Sequence, residues 1–257
     1  MSLQLPRFIQ PNWPAPSNVA AYTSCRTGGN SAPPYNSFNL GQHVGDDPQL
    51  VTKNRQLLPN GENFVWLNQT HSNTCVDLTD YQCVAGDTPL ADACCTNTKQ
   101  QVCAVMTADC LPILLCDQRG TSVAAIHAGW RGLADGVIEN TVSKMAANSA
   151  TLMAWMGPAI SQKHFEVGPE IKDIFNDYPQ AFRENHQSAD IKYFCDIYEI
   201  AKHKMMAIGI SQIYGGEYCT YTQSDLFFSH RRVTHQALNG DIPEAKTGRI
   251  VSAIYLK

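Results

Sequence analysis

The sequence predicts an α+β fold, mixed β-sheets flanked by helices, in a single domain over residues 1–257. Two observations carry that expectation. Short runs rich in Val, Ile and Leu, closed off by Pro or Gly, outnumber the helical stretches and come in adjacent pairs rather than in regular strand–helix–strand order. No repeat, low-complexity tract or linker divides the chain, and 257 residues suffice to bury one large core.

Residues 1–24 begin Pro-rich and end in an apolar stretch at 19–22, an expected strand. Arg26-Thr27-Gly28-Gly29-Asn30-Ser31 follows, a loop that its paired glycines let turn sharply, without the spacing of a dinucleotide fingerprint. Asp47 before Pro48 reads as an N-cap with proline at the first helical position, and Val51, Asn54, Leu57 and Leu58 mark one face of the helix. Strands are expected at 64–67 and 74–78, then a loop over 80–90.

The densest stretch is 102–132. Apolar runs at 102–106, 113–116 and 122–126 read as buried strands, with Thr107-Ala108-Asp109-Cys110 and His127-Ala128-Gly129-Trp130-Arg131-Gly132 at their mouths. Leu133, Val137, Ile138, Thr141 and Met145 then mark an amphipathic helix, whose glycine turn would present free N–H groups to an anion. A strand at 152–156 stops at Gly157-Pro158. Helices follow at 169–178 and 196–208, the second closed by Gly209, and strands at 210–214 and 250–256. The segment between those last strands reads as a polar loop carrying Cys219, Phe227 to Arg232, and Gly248-Arg249.

Composition excludes several function classes. The net charge is −4 and no basic run is interleaved with aromatics, which argues against a nucleic-acid surface. No apolar stretch approaches the roughly 20 residues of a membrane span. The N-terminal residues lack a basic region followed by an apolar core, so a cytoplasmic location with reduced thiols is expected. The ten cysteines include no C-x-x-C pair, against a zinc ribbon or thioredoxin-like motif.

His71, Cys110 and His127 each follow an expected strand and are far apart in sequence, so only neighbouring strand ends in a sheet could unite them. Two imidazoles and a thiolate suit Zn²⁺, and three protein ligands would leave a fourth position for water or substrate. The bland alternative is that His71 caps a loop and Cys110 is half-buried filler. The eight histidines include no two separated by a single residue, whereas multicopper oxidases need paired H-x-H motifs. Copper is therefore the less favoured metal.

Gln69-Thr70-His71, Thr107 to Pro112, the His127–Gly132 block and Gly157-Pro158-Ala159-Ile160 resemble the signature blocks of the YfiH-like "laccase-domain" family. Arg26 to Gly29, Asn39-Leu40, Val44 to Asp47, Phe165 to Gly168 and Phe228 to Arg232 extend the likeness over nearly the whole chain. The resemblance implies an α/β/β/α sandwich of mixed sheets. It implies a zinc site of His71, Cys110 and His127, and phosphorolysis of adenosine, inosine, guanosine and methylthioadenosine, with adenosine deamination at the same site. The partners implied are small molecules, a purine nucleoside and phosphate. Departures are Ser72, His164 and His230, where family members often carry Gly, Cys and Tyr.

Activated water beside the metal would attack C6 of adenine in the deamination. Asp109, next to the thiolate ligand, is a candidate general acid or base, or else orients a neighbouring turn. Arg26, Arg131 and Arg231, with Asn39, are candidates for holding substrate and phosphate, because guanidinium forks match phosphate geometry. Three readings stay open: the nucleoside phosphorylase, a cysteine-type amidase acting on peptidoglycan precursors with Cys110 as nucleophile, and a polyphenol oxidase using copper. A fourth, non-enzymatic reading has zinc only stapling the fold.

Overall fold

The computed structural model describes residues 5–79, 81 and 88–257. Residues 1–4, on which the expected lack of a leader segment rests, most of the loop expected at 80–90, and Cys83 lie outside the described residues. In chain order, β1 (Phe8–Ile9) and β2 (Val19–Ser24) precede α1 (Pro48–Arg55). Next come β3 (Cys75–Asp77), β4 (Ala93–Thr96), β5 (Cys103–Thr107), β6 (Leu111–Asp117), β7 (Val123–Ala128), α2 (Trp130–Ala134) and α3 (Val137–Lys144). The C-terminal part holds β8 (Leu152–Met156), β9 (Glu166–Val167), α4 (Pro169–Ile174), β10 (Phe182–Glu184) and β11 (Tyr193–Cys195). It ends with α5 (Ile197–Ala207), β12 (Gln212–Gly215), α6 (His230–Leu238) and β13 (Ile250–Leu256).

Two sheets carry the fold. The larger has the order β12-β8-β6-β7-β4-β3 and is mixed: its inner pairings are antiparallel and the outermost pairing at each edge is parallel. The smaller, β1-β2-β13-β5, is antiparallel throughout. Strand alternation decides what each face buries. Leu114 and Cys116 of β6 and Val123 and Ala125 of β7 meet Cys103 and Val105 of β5 and Ile254 and Leu256 of β13 between the sheets. Leu111, Ile113, Leu115 and Ile126 point the other way, onto Val137 and Ile138 of α3 and Ile197, Ile200 and Met205 of α5. The outer face of the smaller sheet, Ala104, Met106, Val251 and Ala253, is covered by Phe38, Leu40, Leu58 and Phe64, from the segment that contains α1. The layers match the expected α+β sandwich, built from one mixed and one antiparallel sheet. Since β5, β6 and β7 are buried on both faces, they read in sequence as continuous apolar runs.

Helix ends follow local chemistry. The Asp47 side chain accepts from Gln49 N–H with Pro48 at the first helical position, and Asp196 accepts from Glu199 N–H at the start of α5. The single helix expected after Gly132 is two, α2 and α3, because Gly136 sits between them at φ 86°. The stretch at 64–67 is not a strand; Phe64 and Asn68 each make one isolated bridge, to Val102 and Leu90. The polar loop expected after β12 contains α6. Its start is capped by the Ser229 hydroxyl, which accepts from Arg232 N–H, and no residue of it is fully buried, so no apolar stripe marks it in sequence. Among the described residues no helix is long and apolar enough to cross a membrane.

The β6–β7 hairpin turns on Asp117. Its buried carboxylate accepts from Thr121 N–H at 2.6 Å, Ser122 N–H at 2.8 Å and the Thr121 hydroxyl at 2.9 Å. Burial opposes the charge, but these hydrogen bonds prevail and hold the carboxyl below its ordinary value. A depressed carboxylate stabilises fully above its unfolded pKa, near 3.9, and that contribution disappears as pH falls through the folded value. Asp117→Ala, leaving four donors (the Arg119, Thr121 and Ser122 amides and the Thr121 hydroxyl) without an acceptor, should cost about 2–4 kcal/mol in urea denaturation at pH 7. The difference from wild type should shrink towards pH 3.

Candidate active site

Three polypeptide segments converge at one end of the sandwich. His127 lies within β7 rather than after it, on the same alternation as Val123 and Ala125, so it faces the gap between the sheets. Cys110 sits in the turn between β5 and β6, and His71 in the irregular segment before β3. One ligating atom from each lies within 4.8 Å of the others, and Cys110 Sγ is 3.7 Å from His71 Nε2. The imidazoles meet edge to face with centroids 4.9 Å apart. The trio singled out in the sequence is thus brought together.

Asp92, just before β4, ties two of these segments to one buried carboxylate. Oδ1 accepts from His127 Nδ1 at 2.7 Å and from His71 N–H at 2.9 Å; Oδ2 accepts from Thr70 N–H, Ser72 N–H and the Ser72 hydroxyl. His71 has φ 62°, a conformation costly for a side chain with a Cβ, and its amide is fixed by that bond. Burial disfavours the Asp92 charge, yet the hydrogen bonds from His127 and Ser72 outweigh it and lower the carboxyl to about 2. Gly129 is a matter of space. A Cβ there would stand 3.0 Å from His71 Cδ2 and 3.2 Å from Cys110 Sγ, crowding both ligands.

Burial raises the Cys110 thiol, but the facing His127 imidazolium and hydrogen bonds from His127 and His71 outweigh burial and hold it below the ordinary thiol range. Burial would lower His127; the Cys110 thiolate and Asp92 instead hold it above the ordinary histidine range. The donor set is therefore one ready thiolate and two imidazoles, with His127 Nδ1 engaged away from the trio. That chemistry fits a divalent metal with three protein ligands and an open side.

The open side is a cavity of about 360 Å³, within the range of small-molecule pockets. Trp130, Ile160 and Phe165 line its apolar wall, and His43, His230, Arg231 and Arg249 its polar one. Burial and the neighbouring Arg249 charge lower both His43 and His230. The Arg249 side chain lies over Gly41, whose Cβ would stand 2.8 Å from Arg249 Cγ. Its guanidinium donates to the Thr247 and Gly248 carbonyls.

The other sequence-derived candidates divide. Arg231 lines the cavity, with its guanidinium on the Glu166 carbonyl at 2.9 Å. Arg26 does not; it donates to the Asn36 and Ser224 carbonyls and lies over the Phe228 ring, clamping a loop. Arg131 is exposed, stacks on Trp130 at 4.3 Å, and is not on the cavity wall. Helix α2 begins at Trp130, and Leu133 N–H already bonds to the Gly129 carbonyl, so the anion-binding helix start expected at Gly132-Leu133 is not formed. Asn39 is buried behind the wall, where its Oδ1 accepts from Arg249 N–H at 2.9 Å. Asp109 lines the cavity at φ 111°, but both its oxygens are engaged, with the Thr220 hydroxyl at 2.6 Å and Arg231 N–H at 2.7 Å. Burial raises its carboxyl against those bonds.

Sequence reasoning passed over Asp92, Gly129, His43 and Arg249. A signal existed for the first: an acid flush against the small apolar run Ala93-Cys94-Cys95 is a charge placed where charges are rarely tolerated without partners. The arginine and His43 sit on loops with no periodic pattern to read.

A family model described as "Multi-copper polyphenol oxidoreductase laccase" matches residues 20–257. The chain is 44% identical over 254 residues to an Escherichia coli (strain K12) protein named purine nucleoside phosphorylase YfiH, covering 97% of this chain and 99% of that one. It is 42% identical over 258 residues to a Haemophilus influenzae protein named purine nucleoside phosphorylase, with 97% and 99% covered. Among solved structures, a Neisseria meningitidis protein superposes with a TM-score of 0.87 at 41% identity, covering 97% of this chain and 99% of that one. YlmD from Geobacillus stearothermophilus superposes at 0.82 and 28% identity, covering 97% and 96%. With the signature blocks folded onto one cavity and relatives matching along nearly their full length, the chain belongs to the YfiH-like family described as multi-copper polyphenol oxidoreductase laccase.

Proposed function

We propose that the chain is a purine nucleoside phosphorylase holding a zinc ion on His71, Cys110 and His127. The observation that carries this is one cavity combining an open metal-type donor set, an apolar wall and a guanidinium-lined wall. The relatives named purine nucleoside phosphorylase support it. When bound, the ion supplies Lewis acidity beside the cavity. Trp130 and Phe165 offer planar faces against which a purine can lie. Arg249 and Arg231 hold inorganic phosphate by charge-assisted hydrogen bonds, and His43, kept neutral, is free to donate or accept one more. A phosphate oxygen bonds to the ribose C1′ as the bond from C1′ to the base nitrogen breaks, the electron pair stays on the base, and the proton of hydrogen phosphate passes to it, giving ribose 1-phosphate and the free base. Asp109, with both oxygens engaged, orients the turn that carries Cys110 against the start of α6. Adenosine deamination in the same cavity consumes water and releases ammonia, and so has no use for the anion-binding wall.

Elemental analysis of the purified protein should show close to one equivalent of zinc, lost in His71→Ala and in Cys110→Ala. Retention in both variants defeats the assignment. Base release from adenosine or inosine should require phosphate and yield ribose 1-phosphate. Arg249→Ala should lower phosphorolytic kcat/KM about 100-fold while leaving deamination much less affected, and Arg131→Ala should leave both near wild type. Base release at an unchanged rate without phosphate, with plain ribose as product, rules the scheme out.

A second reading has one observation in its favour: Cys110 Sγ and His71 Nε2 stand 3.7 Å apart, the disposition of a thiol nucleophile and its base. Alkylation separates the two. A metal-held thiolate should react slowly in the purified protein and faster after chelation; a free nucleophile should react at one rate in both.

A further inference from the structure

We infer that Asp92 is the positioning residue of the trio: it fixes which nitrogen of His127 carries the proton, and so whether that imidazole can ligate a metal. The inference rests on the metal reading above and adds to it a residue outside the ligand set. The chemistry is one of donors and acceptors. The Asp92 carboxylate has no proton to give, so the short 2.7 Å contact requires His127 Nδ1 to be the donor. Once that ring carries a single proton, as a metal ligand must, Nε2 is bare on the side of Cys110 and His71. The same Oδ1 accepts the amide of His71, the second imidazole ligand, while Oδ2 takes the amides of Thr70 and Ser72 on either side of it. One buried group thereby sets the proton of one ligand and the backbone of another. Partners of this kind, behind the ligands themselves, typically change metal affinity 10- to 100-fold when altered.

Asp92→Ala would leave five donors without an acceptor and could unfold the loop, so Asp92→Asn is the sharper test. An amide has one accepting and one donating end. With its oxygen kept towards Thr70 and Ser72, its NH₂ takes the place of Oδ1: the His71 amide loses its acceptor, and His127 Nδ1 must accept, moving the ring proton to Nε2 in the direction of the metal position.

The experiment is a competitive zinc titration of the 257-residue wild-type and Asp92→Asn proteins, with nitrogen-15 NMR of the histidine rings before metal is added, read on the alkaline side of the His127 titration where the ring carries one proton. The expected result is a wild-type His127 protonated on Nδ1, an Asn variant protonated on Nε2, and zinc affinity at least 10-fold weaker in the variant. Equal affinities overturn the inference, as does a weaker affinity with the His127 proton still on Nδ1. Should the Asn variant fail to fold, the wild-type spectrum decides: an Nε2–H tautomer for His127 overturns it. A wild-type protein that binds no zinc overturns the metal reading instead, and the two failures are thereby told apart.

Discussion

A single buried carboxylate holds the active end of this protein together. Among the described residues Asp92 has no basic side chain at hydrogen-bonding distance apart from His127, and an isolated ion in such a place costs several kcal/mol. Five donors from His127, His71, Thr70 and Ser72 offset that cost, and the carboxyl stays ionised well below its ordinary range. The arrangement runs in both directions. The loop at 70–72 has few other anchors, and the acid could not remain charged without that loop. Strand β4 contributes the link by pairing with β7 in the larger sheet, with Ala93 opposite Ile126, so that Asp92 and His127 become neighbours by register.

Strain is concentrated at the same place. Two of the four described non-glycine residues with positive φ, His71 and Asp109, border the cavity, and each is held by hydrogen bonds that a regular strand would not supply. Asp109 matters through its contacts. Its carboxylate takes the Arg231 amide at the start of α6, and its own carbonyl takes the Ile160 amide, so three elements distant in sequence close around the Cys110 turn. Asn39 does the equivalent for the opposite wall by fixing the Arg249 amide. Both are polar residues that a sequence reading assigns to chemistry and that the fold uses to aim other side chains.

Much of the fold was legible, for a physical reason. Strands buried on both faces must be apolar throughout, and β5, β6 and β7 announce themselves as runs; Asp47-Pro48 and Asp196 announce helix starts. What escaped had no periodic burial. Helix α6 is largely polar and has no buried residue, and β4, Ala-Cys-Cys-Thr, is too short and too small in side chain to stand out. For the site, His71, Cys110 and His127 were singled out because each follows an expected strand and the resemblance to the family's signature blocks maps its ligands onto them, and the fold brings the three side chains together. Which arginines line the cavity was not legible, because a guanidinium beside a signature block looks the same in sequence whether it reaches the cavity, as Arg231 does, or stacks outside it on Trp130, as Arg131 does.

The donor set alone does not select the metal. Two imidazoles and a thiolate also serve blue-copper centres, which add a weak axial ligand and transfer electrons from a closed pocket, and Met106 lines this cavity. The surroundings argue the other way. Among the described residues one group of three metal-capable side chains exists, and the eight histidines contain no H-x-H pair of the kind that holds a multicopper cluster. The trio opens onto a space lined by arginines and aromatic rings, where an outer-sphere electron carrier would gain nothing from guanidinium groups and a phosphate would. On the proposed reading, a metal held by three protein ligands beside a phosphate-holding wall would act as a Lewis acid that keeps one oxidation state, and zinc is proposed on that ground.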